Sequence, residues 1–560
     1  MECDRCGAPG CEFGCRRAHT LPRTGMSAEL DAIFLADKIH ITAHGPTVNA
    51  LAVRDGKVVR IGSREDAAQW ESAAQTHDFG AATMTPGLID AHSHAVSAGA
   101  NRRGVDLSRC RNLDEVRQAL VDQPQDVDSE WRLGWSLDPN LFGSAPPSNG
   151  FLHGTDDRPT YVKMADGHSA IANSTALALA GVSGQEVFTS YSCVVLGSDG
   201  EPNGLLLEDE ALELIRKHIP PLSAAQQVAC LGALLLAMAS TGLTTLSLLD
   251  LNLSSLDTLA ALEVEGELPM RLRCSPVFDP GADTSTELDR VTDLQTRSGR
   301  LWRVEGVKLV LDGTIDNGTA WLEHPDTCGD STQSLWLDPE QFRVVVLELA
   351  NRGIATATHA IGDAAIREVV STIAAMTKAQ RARAPHRVEH IETMPDDLVE
   401  AFARSGAIAS MQPTHSTLYV WPDHQDEWSR RLGPTRSRVN GFRFRDLQDA
   451  GVTVALGSDW PVAPYDPRGV IADAQLRRPH DRADTGQTFP RQALTAAMAL
   501  EGYTTSAATA LGWQDHIGSL EVGMDADVTV FDCDPLSEAA ESFAASAVIA
   551  TSIGGRLIWH

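Results

Sequence analysis

Six residues in this sequence have the types and the settings that catalysis needs. The segment TPGLIDAHSHA places His92 and His94 two apart directly after an apolar run. Alternate residues of a strand project to one face, so the two imidazoles can share one metal ion. A lone pair of this kind is more often a pair of hydrogen-bonded core histidines. The same setting recurs, however, at His359 in ATHAIGD, His390 in RVEHIE and Asp459 in VALGSDWP, each closing a β-rich run. Neutral imidazole and carboxylate are zinc-type ligands, and a catalytic metal site keeps one position open for water. Lys308, inside GVKLVLDG, would be costly to bury as a bare ammonium. Two accounts fit it: an ion pair with a neighbouring carboxylate such as Asp312, or a neutral amine that adds carbon dioxide to give a carbamate, an anionic bridge between two metal ions.

Positioning such residues requires strand ends that converge. The runs VEGVKLVLDG, GIATATHAIGD, HRVEHIE, AIASMQPTH and GVTVALGSD alternate with amphipathic helical stretches, the pattern of an α/β chain with a parallel sheet. In a (β/α)8 TIM barrel the chemistry sits at the carboxyl ends of the strands, where each run turns polar. The intervals separating Lys308, His359, His390 and Asp459 fit strands four, five, six and eight. The gap from His94 to Lys308 is far too long for the two intervening units. A large insertion after barrel strand one, at about residues 100–225, accounts for it, with barrel character resuming near TGLTTLSLLD. Short strands punctuated by turns, including an Asp55-Gly56 hairpin, occupy 27–85 and recur over 515–560. The two termini are thus expected to build one small β-sandwich domain beside a barrel over 86–514.

Composition narrows the partners. A formal charge of -29, from 75 acidic against 46 basic residues, would repel nucleic acid and anionic membrane surfaces. No apolar run is long enough to span a bilayer, and the first residues lack the apolar core of a secretory signal. The expectation is a cytoplasmic enzyme acting on a small molecule, with a homodimer as the base-rate assembly. Cys3, Cys6, Cys11 and Cys15 form a dense leader over 1–26, read either as a structural zinc knuckle or as a tail preceding a start at Met26. The remaining cysteines are scattered, as buried thiols are in a reducing compartment.

From about Leu30 to the C-terminus the chain resembles the amidohydrolase superfamily, in particular the amidohydrolase family 3 branch that includes N-substituted formamide deformylases. The carriers are TPGLIDAHSHA, DGHSAIANSTAL, GEPNGLLLE, GVKLVLDGT, THAIGDAA, HRVEHIE, MQPTH, ALGSDWPV and GSLEVGMDADVTVFD, in the family's order. The resemblance implies that His92, His94 and Asp459 bind one metal ion, that His359 and His390 bind a second, and that carbamylated Lys308 bridges them. Zinc suits these donors, as would manganese or iron. It also implies attack by a metal-activated hydroxide on a C–N bond, with Asp459 as general acid and base. His168, in DGHSAIANS, and His415, closing the seventh strand run, stand as candidate substrate contacts, an exposed polar loop or a satisfied histidine accounting for each equally well. The same metal set could cleave an ester or lactone or decarboxylate, and a silent scaffold relative would be the non-enzymatic alternative.

Overall fold

In the computed structural model, residues 29–560 are described apart from 97–102, 124–129, 144, 156 and 267. The cysteine-rich leader lies outside the described residues. Eight short parallel strands form the centre: β1 Leu88–Ser93, β2 Leu243–Leu251, β3 Arg271–Pro276, β4 Val307–Val310, β5 Thr356–Ala360, β6 His386–His390, β7 Ile408–Met411 and β8 Val454–Leu456. Ladders join β1 to β2 and β2 to β3, and others run from β4 through β8. Parallel bridges at Val277–Lys308 and Ser93–Trp460 connect the two groups at both edges. The strands are rich in Val, Leu, Ala and Thr and buried on both faces, as parallel strands sandwiched between a filled interior and covering helices must be.

Helices follow the strands and lay their apolar stripes on them: Leu234, Val291, Val345, Ile366 and Phe402 from five helices join one core cluster with strand residues such as Leu309. Local chemistry sets the helix ends. In Pro339–Arg352, for example, Asp338 caps the Glu340 amide, Pro339 takes the first turn, and Gly353 at φ 72° ends the helix in the left-handed region.

Two further sheets flank this centre. Strands from both ends of the chain share one eight-stranded sheet, in which Val528–Phe531 pairs with Thr83–Pro86, and Thr83–Pro86 with Leu30–His40. Its core draws on both ends, with Phe34, Leu51 and Val58 packed in one cluster with Val528, Val530 and Ala550. The Asp55-Gly56 turn has positive φ at both residues, 53° and 74°, as a two-residue hairpin requires. Between β1 and β2 the chain builds a six-stranded sheet of its own, from Val105 to Leu207. After the helix Asp209–Arg216, the helix Ala224–Ala239 already packs on the central core. Within this inserted sheet the strands Thr160–Met164 and Ser169–Ala172 are antiparallel neighbours, and the turn between them, with Gly167 at φ 75°, presents Asp166 and His168.

Candidate metal centre

β1 carries His92 and runs into His94, and β8 runs into Asp459. The seam between them is fixed by Asp90, which is fully buried and accepts hydrogen bonds from the His92 amide at 3.1 Å, the Ser458 amide at 3.0 Å and the Ser458 hydroxyl at 2.6 Å. The Asp459 amide donates to the His92 carbonyl at 2.8 Å. Asp459 itself has φ 57°, a left-handed conformation that costs energy in a non-glycine residue and is held here by the surrounding bonds.

Three donor atoms meet at this seam. His92 Nε2 lies 3.2 Å from His94 Nε2 and 3.3 Å from Asp459 Oδ1, and His94 Nε2 lies 3.1 Å from the same oxygen. Ligands about 2.0–2.1 Å from a tetrahedral ion stand about 3.3–3.4 Å apart, so the triangle has the size of one face of such a site. Protonation supports the same reading. His92 Nδ1 faces a Glu389 oxygen at 2.6 Å, which puts the proton on Nδ1 and turns the Nε2 lone pair inward. Burial lowers the His92 pKa to about 4, so the ring is neutral. Asp459 Oδ1 is buried and makes no properly directed hydrogen bond among the described residues. Although burial acts against its charge, His92 and His94 hold the Asp459 carboxyl well below the usual carboxylate range. Converging lone pairs and an anionic oxygen fit a cation.

A second group adjoins the first: donor atoms of His390, His415 and Asp459 also lie within 4.8 Å of one another. His415 Nε2 is 3.6 Å from Asp459 Oδ2 and has no hydrogen-bond partner among the described residues, while His390 Nδ1 is 3.0 Å from Gln412 Oε1. His390 and Ile391 both have positive φ, 75° and 56°. The His359 ring lies 4.4 Å from the His390 ring at a tilt of 58°, but its Nε2 is turned to the Gly313 carbonyl at 3.2 Å. His415, expected beside the substrate, therefore shares the Asp459 carboxylate, and His359, expected to bind a metal ion, faces a carbonyl.

Lys308 is 3% exposed. Burial outweighs the attraction of Glu389 and Asp459 and lowers its pKa to about 8. Asp312 is not engaged as its counter-ion. It accepts from the Trp321, Ile361 and Gly362 amides at 2.9, 3.0 and 2.9 Å and so ties the loop after β4 to the end of β5. His168 reaches the same chamber from the inserted sheet, with its ring 4.7 Å from His359 and Nδ1 2.8 Å from Glu208. Burial opposes its charge, but Glu208 raises the pKa to about 9.

Glu389 was not foreseen from the sequence. It is completely buried between His92 and Arg387, whose Nε lies 2.6 Å from its other oxygen. Burial acts to raise its pKa, but Arg387 and His92 bring it down to about 2. The signal was present in HRVEH: Arg387 and Glu389 are alternate strand residues, too polar to bury unless paired. Of these groups, His94, His168, Lys308, His359, His390, His415 and Asp459 line one cavity of about 880 Å³, which the ends of the central strands and the inserted sheet enclose together.

No helix is long and apolar enough to cross a membrane among the described residues, and the six cysteines described are free thiols. The chain is 28% identical over 566 residues to Protein LONG AFTER FAR-RED 3 of Arabidopsis thaliana, covering 96% of this chain and 93% of that one. It is 23% identical to the N-substituted formamide deformylase of Arthrobacter pascens, over 92% of this chain and 96% of that enzyme. An uncharacterised metal-dependent hydrolase of Pyrococcus horikoshii superposes with a TM-score of 0.69 at 24% identity, over 91% of this chain and 99% of that one. The amidohydrolase family model matches residues 75–559, most of the chain, and so this protein belongs to the amidohydrolase family.

Proposed function

We propose that the protein is a metal-dependent hydrolase that cleaves a C–N bond of the amide type in a small molecule. The observation that carries this reading is the triangle of His92, His94 and Asp459, whose spacing, tautomer and unpartnered oxygen suit a divalent cation such as zinc. We further read the ring of eight strands as a (β/α)8 barrel over about 86–514, the terminal sheet as a small sandwich-like domain, and the residues at about 100–225 as an insertion. A second ion beside the first is supported by His390 and by the far oxygen of Asp459. In this reading Lys308, whose lowered pKa leaves part of it neutral near pH 8, adds carbon dioxide through its neutral amine and releases a proton to become an anionic carbamate, which with His359 would help to hold that second ion.

A bound divalent cation would supply Lewis acidity and an acidified water. The chain's own residues do the rest. Asp459 Oδ2, beside His390 and His415, accepts a proton and returns it to the leaving amine. The charged His168, held by Glu208, stabilises negative charge growing on the substrate oxygen. Glu389 and Arg387 hold His92 in the required tautomer.

The test pairs metal content per chain with a panel of N-formyl and N-acyl amines, and of matched esters, for wild type, Asp459→Asn and Lys308→Ala. Asp459→Asn is expected to lower turnover by about 10²–10⁴-fold, and Lys308→Ala to lower metal content. Near wild-type turnover in Asp459→Asn would sink the assignment. Folded wild-type protein that binds no metal would point to a silent scaffold.

A further inference from the structure

The inserted sheet brings a second basic group to the chamber. His168 leaves the turn after the strand Thr160–Met164, and Lys163 leaves the strand itself. Lys163 stands opposite Ala170 in the antiparallel ladder, and a methyl group offers an ammonium no partner. The parallel neighbour on the other flank sets Gly134 beside Val162 and Leu137 beside Met164, again without an acid. The Lys163 side chain is only partly buried, and it lines the cavity. Among the described residues its ammonium makes no hydrogen bond and no ion pair.

The charged groups around it are committed elsewhere. Arg216, at the end of the helix Asp209–Arg216 and on the same chamber wall, is held by Asp209 at 2.7 Å and by Glu213 at 2.9 Å. Asp166 takes the His168 amide at 2.6 Å, the Ser169 amide at 2.8 Å, the Ser169 hydroxyl at 2.7 Å and the Asn317 side-chain amide at 2.9 Å. Burial, reinforced by Arg216, lowers the Lys163 pKa, while Asp209, Asp250 and Asp166 act to raise it from beyond ion-pair reach. None of the metal-ligand candidates stands among these strongest influences, so Lys163 is set apart from the reacting centre although it shares the cavity. An ammonium held in a chamber wall without a counter-charge is unfavourable. An oxyanion at hydrogen-bond distance would offset that cost through a charge-assisted bond, which is stronger than a neutral one and stronger still where water is scarce.

We propose that Lys163 forms an anion subsite on the inserted-sheet wall, which receives a carboxylate carried by the substrate at the end remote from the bond that is cut. This rests on the hydrolytic reading for the word substrate, but not for the binding itself. It makes Lys163 a specificity residue rather than a participant in bond cleavage. The central strand ends then present the reactive groups, and the inserted sheet reads the far end of the molecule they act on.

The test is calorimetric titration at fixed ionic strength and about pH 6.5, where a lysine ammonium keeps its proton. The probe is benzenesulfonate, an oxyanion that stands in for the carboxylate and is a poor metal ligand, against methyl phenyl sulfone, its neutral analogue of nearly equal size. The wild-type protein is expected to bind the sulfonate about tenfold or more tighter than the sulfone. That preference is expected to fall to about threefold or less in Lys163→Met, which keeps the stem and removes the charge, with the sulfone's affinity unchanged. If Lys163→Met loses its circular dichroism signal, Lys163→Gln is read instead, with the same fall expected. Equal affinity for the two probes, no measurable sulfonate binding, or a preference that survives loss of the charge would each overturn the subsite, the last by placing the anion elsewhere on the protein. Sulfonate binding that depends on Lys163, without cleavage of any amide, would keep this inference and remove the hydrolytic one.

Discussion

Replacing Glu389 with Gln tests whether the buried chain behind His92 governs the metal centre. Glu389 serves two partners at once, a hydrogen bond with His92 Nδ1 at 2.6 Å and an ion pair with Arg387, whose Nε lies 2.6 Å from its other oxygen, and none of the three side chains has appreciable solvent access. Glutamine keeps the shape but offers one oxygen and one NH2 group. Its NH2 must therefore face a donor, and Arg387 loses its counter-charge. Arg387 retains the Ser247 hydroxyl at 2.8 Å, which does not neutralise it. Removing one partner of a buried pair costs about 3–5 kcal/mol. Loss of the partner that orients a ligating histidine costs about 10–100-fold in metal affinity. The metal-free variant should thus lose about 3 kcal/mol or more in denaturant unfolding, and zinc should bind at least about tenfold more weakly in competition with a chelator. Glu389→Asp, which keeps the charge, should recover part of both losses. Metal-free stability and zinc affinity both within about twofold of wild type would refute the reasoning.

Other outcomes follow from the same geometry. A Cβ on Gly457 would stand 2.7 Å from the His92 amide and 2.9 Å from Asp90 Oδ1; Gly457→Ala should cost about 1–3 kcal/mol in thermal unfolding and also reduce metal content. On Gly313 it would run into Glu208 Oε1 and Thr319 Oγ1, so Gly313→Ala should displace Glu208 and raise KM for whichever amide the panel finds. Burial brings His386, which accepts from the Thr356 hydroxyl at 2.9 Å, down to about 4. Its folded pKa is depressed, so its contribution is fully present above about pH 6.5 and is lost as pH falls toward 4, amounting to roughly 3 kcal/mol. In unfolding curves across that window, His386→Asn should show a shallower loss of stability than wild type.

Much of the site was legible because its residues sit where strands stop. An apolar run followed by a ligand-type residue marks β1, β5, β6 and β8 in one dimension, and the intervals between them carry the order of the ring. Two things were not legible. His390 follows Glu389 directly, and a strand's alternation sends the pair to opposite faces. Only the left-handed turn at His390 and Ile391 brings its ring to Asp459, and nothing in HRVEHIE announces that turn. The allocation of histidines between His359 and His415 was equally hidden, since it depends on side-chain direction at the ends of neighbouring strands. Lys163 and the metal-ligand candidates are far apart in sequence and in different sheets, so their shared chamber exists only in three dimensions. Arg387 and Glu389, by contrast, could have been paired from their spacing alone.

The seam held by Asp90 and Ser458 joins residues 368 positions apart in the chain. His92 and His94 stand on one side of it and Asp459 on the other. An ion gripping all three therefore clasps the first strand of the ring to the last, and a parted seam has no triangle to offer it. Affinity for the ion and closure of the ring are then one equilibrium: each factor by which the ion favours the closed form, the closed form returns as tighter binding. Withdrawal of the ion should loosen the molecule first along this single line, leaving the inserted sheet, with its own core, as the part least aware of the loss.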